Sequence, residues 1–78
     1  MDYQLEMWKR QDWRKSSRYY CCELKQDLFG RWILIRRWGR ISALKGQSIE
    51  VYCDRYEQGL ELFDAVQKRR VKRGYEVC

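Results

Sequence analysis

Four consecutive apolar residues, Trp32-Ile33-Leu34-Ile35, lie between Arg31 on one side and Arg36-Arg37 on the other. In an extended strand successive side chains point to opposite faces, so an unbroken apolar run needs cover on both. A chain of 78 residues has little with which to supply that cover. A domain of this size buries only roughly 60% of the surface its unfolded chain exposes. The run therefore reads as an interior strand, Arg31 to Trp38, with a helix lying across one side.

The other segments fit that frame. Tyr3, Leu5 and Met7 alternate with polar neighbours, which predicts a first strand over Tyr3 to Lys9. Gln11 to Ser17, "QDWRKSS", is polar and basic around a single Trp13 and reads as a loop. "RYYCCELKQ", Arg18 to Gln26, is rich in aromatic and small apolar side chains that suit a pleated surface, giving a second strand. Asp27 to Gly30 then forms a glycine-containing hairpin loop into the apolar run. Gly39 to Gln47 reads as a loop, and Ser48 to Arg55 as a fourth strand.

Beyond Asp54 the period changes from two to 3.6. Asp54 and Glu57 are spaced as a capping box, and Leu60, Phe63 and Val66, with Leu62 and Ala65, form an apolar helical face. The cations Lys68, Arg69, Arg70, Lys72 and Arg73 crowd the carbonyl end, where the helix dipole favours them, and Gly74 is placed to terminate the helix. The expected architecture is one domain over 1–78, of the α+β class: a small antiparallel β-sheet with one amphipathic helix packed on one face.

Several function classes are disfavoured. No apolar run approaches the roughly 20 residues needed to cross a bilayer. The opening "MDYQLEMWKR" lacks the features of a secretory signal, so the expected location is cytoplasmic. Cys21, Cys22, Cys53 and Cys78 form no C-x-x-C pair and the chain has no histidine, so free thiols are expected and neither metal nor cofactor. With no base beside a nucleophile, no outstanding carboxylate pair and no phosphate-cradling glycine loop, the chain reads as a non-enzyme without a small-molecule substrate.

With the pieces in this order the chain resembles the WGR domain, the module named for the tripeptide found here as Trp38-Gly39-Arg40. The resemblance includes the paired tyrosines of "RYYCCEL", the segment "DLFGRWILIRRWGR", Gly46-Gln47, the helix and the closing "KRGY". It spans Arg18 to Tyr75 and is nearest to short bacterial proteins consisting of that domain alone. Family members in DNA-damage-responsive poly(ADP-ribose) polymerases touch a DNA end and a neighbouring helical domain. The resemblance thus implies that Trp38 packs on the sugar of a terminal nucleotide and that Arg40 makes polar contacts. The polymerases' transferase activity is not implied, because neither the helical nor the transferase domain is present. The chain departs from the family pattern where Ser42 replaces a second glycine and "SALK" lengthens the loop.

Two readings of Trp38 and Arg40 stay open on the residues alone. A Trp capping the core with an Arg stacked on it needs no ligand. Equally, an aromatic ring beside a guanidinium suits a sugar or base next to a phosphate. A net charge of +6, from 17 basic and 11 acidic side chains, favours polyanions. The basic clusters include Lys9, Arg10, Arg14, Lys15 and Arg18 besides the helix end. The candidate nucleic-acid-binding residues are Trp38, Gly39, Arg40, Arg36, Arg37, Gln47, Tyr19, Lys72, Arg73 and Tyr75. The expected partner is nucleic acid, DNA at duplex ends or along its backbone, with an acidic protein docking on the same surface as the alternative.

Overall fold

The computed structural model describes residues 3–78, so the first two residues of the opening stretch lie outside the described residues. The apolar run lies in an interior strand, as its two-sided hydrophobicity requires. Five antiparallel strands, β1 (Lys9–Lys15), β2 (Arg18–Gln26), β3 (Trp32–Arg40), β4 (Gln47–Tyr52) and β5 (Glu76–Val77), form one sheet in the order β4-β3-β2-β1-β5. The helix α1 (Tyr56–Lys72) packs on one face against β2 and β3. Ile33, Leu34 and Ile35 are all buried. Leu34 joins the core under the helix, whereas Ile33 and Ile35 point to the other face, sharing a depression with Tyr3, Trp8 and Tyr52.

The core follows the register. Trp13 of β1 sits opposite Tyr20 of β2, which sits opposite Trp38 of β3, so three rings cross the sheet side by side. Trp13 meets Tyr20 edge-on at 6.1 Å and Tyr20 stacks on Trp38 at 5.8 Å with planes 13° apart. Cys22, Leu24 and Leu34 continue this face, and α1 closes it with Phe63 and Val66. Gly59 allows the helix to approach closely, since a methyl group there would come within 2.5 Å of a Leu24 carbon.

The structure corrects the first third of the chain. "QDWRKSS" is not a loop: Gln11 to Lys15 belong to β1, which turns into β2 through Ser16 and Ser17. Only one residue of that strand, Trp13, is apolar and buried, so the periodic signal was a single point. The alternating segment Tyr3 to Lys9 is likewise no strand, apart from Lys9, and Leu5–Met7 forms a 3₁₀ turn. The Gln26 carboxamide oxygen accepts hydrogen bonds from the Gln4 amide at 2.7 Å and the Trp8 indole at 3.2 Å, which fastens this segment without a ladder.

Boundaries also move. The third strand runs on through Gly39 and Arg40, and β4 begins at Gln47 and ends at Tyr52 rather than Arg55. The helix N-cap is Arg55, not Asp54, and makes no side-chain cap bond; instead the Gln58 side chain accepts from the Asp54 amide at 2.7 Å, the role assigned to Glu57. The C-terminus is as expected. Gly74, at φ 86°, donates to Val71 and the next amide, Tyr75, donates back to Arg70, a paired closure that a left-handed glycine makes easy. The chain then returns to add β5, which the sequence reading missed.

Candidate nucleic-acid interface

Placing Gly39 and Arg40 inside β3 fixes which way the tripeptide points. Residues alternate along a strand, so Arg36, Trp38 and Arg40 share the helix-bearing face while Arg37 and Gly39 lie on the other. The expectation that the adjacent tyrosines split between faces holds as well: Tyr20 is buried under the helix side and Tyr19 pairs with Gly39.

Gly39 is closely covered. A side chain there would begin 3.1 Å from the Gly46 Cα and 3.1 Å from the Tyr19 hydroxyl. At Gly46 the added carbon would lie 2.1 Å from the same hydroxyl and 2.7 Å from the Trp38 carbonyl oxygen. The two glycines thus let the Tyr19 ring and the loop 41–46 close against the end of β3. This gives the middle residue of the tripeptide a packing role, and leaves Trp38 and Arg40 facing a groove.

That groove, of about 560 Å³, opens where the ends of β2, β3 and α1 converge. Trp38 and Tyr20 supply its aromatic wall, and Tyr75 meets Tyr20 edge-on at 6.3 Å. Arginines come from three elements and the helix end: Arg18 from β2, Arg36 and Arg40 from β3, Arg70 from α1, and Arg73 just after it. Among the described residues no carboxylate lines it. Arg18 and Arg40 are directly opposite one another in register, a like-charge pairing that costs stability unless an anion intervenes.

Three carboxylates, Asp12, Glu23 and Asp27, are engaged elsewhere. On the face away from the helix Asp12 accepts from Arg10 at 3.1 Å, and Glu23 pairs with Arg37 and lies 4.0 Å from Arg10. The Arg10 hydrogen bond holds the Asp12 carboxyl below its ordinary range. Asp27 is bound to Arg31 in the hairpin loop. Among the described residues, none of the five groove arginines has an ion-pair partner.

Of the ten residues singled out from sequence, the groove gathers Tyr19, Arg36, Trp38, Gly39, Arg40, Arg73 and Tyr75. Arg37 is separated by the sheet from Arg36, Trp38 and Arg40 and is paired to Glu23. Gln47 pairs with Trp38 at the start of the edge strand, beside the groove rather than in its lining. Lys72 projects elsewhere, sharing a shallow surface with Lys68 and Val71. The sequence reading counted Arg18 and Arg70 only as members of basic clusters. A signal for Arg70 existed: Gly59, Phe63, Val66 and Arg70, the buried residues of α1, are spaced by four, three and four.

The thiols take no part in the groove. Cys21, Cys22 and Cys53 are buried and Cys78 is exposed, all unbridged. Burial pushes Cys21 up to about 11 and Cys22 up to about 12. Among the described residues no cluster of three or more acidic, cysteine or histidine side chains could hold a metal ion.

Comparison with known proteins agrees with the geometry. The family model for the WGR domain matches residues 3–77, a longer stretch than the motifs alone delimit. A protein of Sinorhizobium fredii (strain NBRC 101917 / NGR234), named uncharacterized protein y4dW, is 37% identical over 62 residues, covering 80% of this chain. The match takes in only 30% of that relative's own length. No solved structure matches the chain significantly. WGR domains are in general nucleic-acid-binding modules, and no catalytic family is indicated. With the tripeptide at the end of β3, the glycine pair behind it and the family match along nearly its whole length, this chain belongs to the WGR domain family.

Proposed function

We propose that the groove binds the phosphate backbone of nucleic acid, and of DNA at a duplex end in particular, without catalysis. One observation carries this reading: five arginines and an aromatic wall share a groove that no carboxylate among the described residues lines, while Asp12 and Glu23 of the sheet are paired on the opposite face. Guanidinium groups take phosphate oxygens in a planar, bidentate way, and an aromatic ring beside them packs on a sugar or base. Arg18, Arg40 and Arg73 are exposed at the mouth and meet phosphates first; Trp38, held against Tyr20, meets the terminal nucleotide. Contacts of this kind position a nucleic acid without reading its sequence.

The test is fluorescence anisotropy with a 5′-phosphorylated blunt duplex and the same duplex closed at both ends by hairpins. The open duplex binds more tightly, and Trp38→Ala, shown by melting to be folded, removes that preference. Equal binding to both forms by the parent protein would refute end recognition.

A further inference from the structure

Arg70 is the least expected residue of the groove. Arg70 is 7% exposed, yet among the described residues its Nε has no hydrogen-bond partner and no carboxylate lies within ion-pair distance. The guanidinium lies 4.1 Å from the centre of the Tyr20 ring and 5.0 Å from that of Tyr75. Rings satisfy the face of a guanidinium, through attraction to the cation, but not the N–H groups in its plane. A buried cation left so costs stability, and a helix position on the apolar face has cheaper occupants. Arg36 lines the same groove, and a smaller cavity of about 210 Å³ beside the helix is again shared by Tyr20, Arg36 and Arg70.

We infer that Arg70 is the floor of a phosphate subsite, in which its in-plane N–H groups donate to phosphate oxygens while Arg36 supplies a second cation beside the same group. Tyr20 and Tyr75 fix the guanidinium so that little rotamer freedom is lost on binding. The exposed arginines at the mouth attract a polyanion from any side; Arg70 requires that one phosphate enter the groove. The inference rests on the nucleic-acid reading for the source of that phosphate, a backbone diester or a terminal monoester, but phosphate binding itself is measurable without nucleic acid.

The first measurement is thermal melting in sodium phosphate and in sodium chloride at equal ionic strength. The parent protein gains more in phosphate than Arg70→Met, whose remaining gain is the general stabilisation by an excluded anion, and Arg70→Lys, which keeps the charge without the planar fork, gains an intermediate amount. Methionine keeps the unbranched apolar stem between the rings, and the lysine variant provides a second folded protein. A phosphate gain in Arg70→Met equal to the parent's, or none in the parent, overturns the subsite. The second measurement is anisotropy with duplexes ending in a 5′-phosphate or a 5′-hydroxyl. Loss of a charge-assisted hydrogen bond predicts affinity about tenfold weaker in Arg70→Met. Weakening on both duplexes assigns the subsite to a diester, weakening on the phosphorylated one alone to a terminal monoester, and unchanged affinity on both overturns it. Should the parent bind neither duplex while phosphate still acts through Arg70, the nucleic-acid reading fails and the subsite stands.

Discussion

Replacing Gly46 by alanine asks whether the glycine after the loop serves packing at the tripeptide or merely flexibility. Its φ is not in the left-handed region, so alanine meets no backbone strain there. Taken alone, the substitution would stabilise by about 0.4–1 kcal/mol through the unfolded chain. The space argues the other way. The new carbon would sit 2.1 Å from the Tyr19 hydroxyl oxygen, which a tilt of the ring relieves, and 2.7 Å from the Trp38 carbonyl oxygen, which belongs to a strand and does not move cheaply. Overpacking of this kind costs about 1–3 kcal/mol. The net is a loss of up to about 2.6 kcal/mol with a midpoint of about 1.3, and that midpoint corresponds to a fall in Tm of roughly 5–10 °C for a domain of this size. Thermal unfolding followed by circular dichroism measures it. Tyr19→Phe/Gly46→Ala should recover part of the loss but not all, because the carbonyl contact stays. A Gly46→Ala protein that melts at or above the parent would show that the packing argument is wrong.

Further outcomes follow from the core and the thiols. Gly59→Ala, which in an open helix would gain about 1 kcal/mol, should instead lower stability, because the Leu24 carbon 2.5 Å away is fully buried; urea unfolding decides the sign. A thiol reagent at about pH 8 should modify Cys78 quickly and Cys21, Cys22 and Cys53 only on unfolding, since burial raises all three of these thiols. The same burial makes stability fall with rising pH: above about pH 8.5 the unfolded chain gives up thiol protons that the native protein retains until about 11 to 12, and urea midpoints on either side of that threshold should show the decline.

What the sequence made legible were the features written in several residues at once. The apolar run of β3, Phe63 and Val66 on the face of α1, and the Gly74 stop each have a repeated or geometrically specific signal and are found where expected, whereas Ala65, counted on that face, is exposed. β1 was hidden because Trp13 alone anchors it, the rest of its pairing being supplied by backbone and by β2. β5 was hidden because two residues have no period at all. At the groove, the tripeptide announced itself, but which arginines join it depended on alternation. Arg36 and Arg37 are neighbours in sequence and lie on opposite faces, and which of them faces the helix is decided by the packing that puts Leu34 and Trp38 on that side. Arg70 could have been found by treating it as a buried residue of the helical face, a reading that its charge discouraged.

The claim that the groove, rather than net charge, binds nucleic acid is tested most directly by the salt dependence of duplex affinity in two double variants of equal charge. Arg40→Ala/Arg73→Ala removes two exposed groove arginines; Lys68→Ala/Lys72→Ala removes two exposed lysines from the helix away from it. A parent that engages about four phosphates shows log affinity falling with log salt at a slope near −3.6. The groove variant should bind more weakly with a slope shallower by about 1.8, and the lysine variant should keep the parent's slope. Equal losses in both variants would contradict the groove and leave only the sum of the charge.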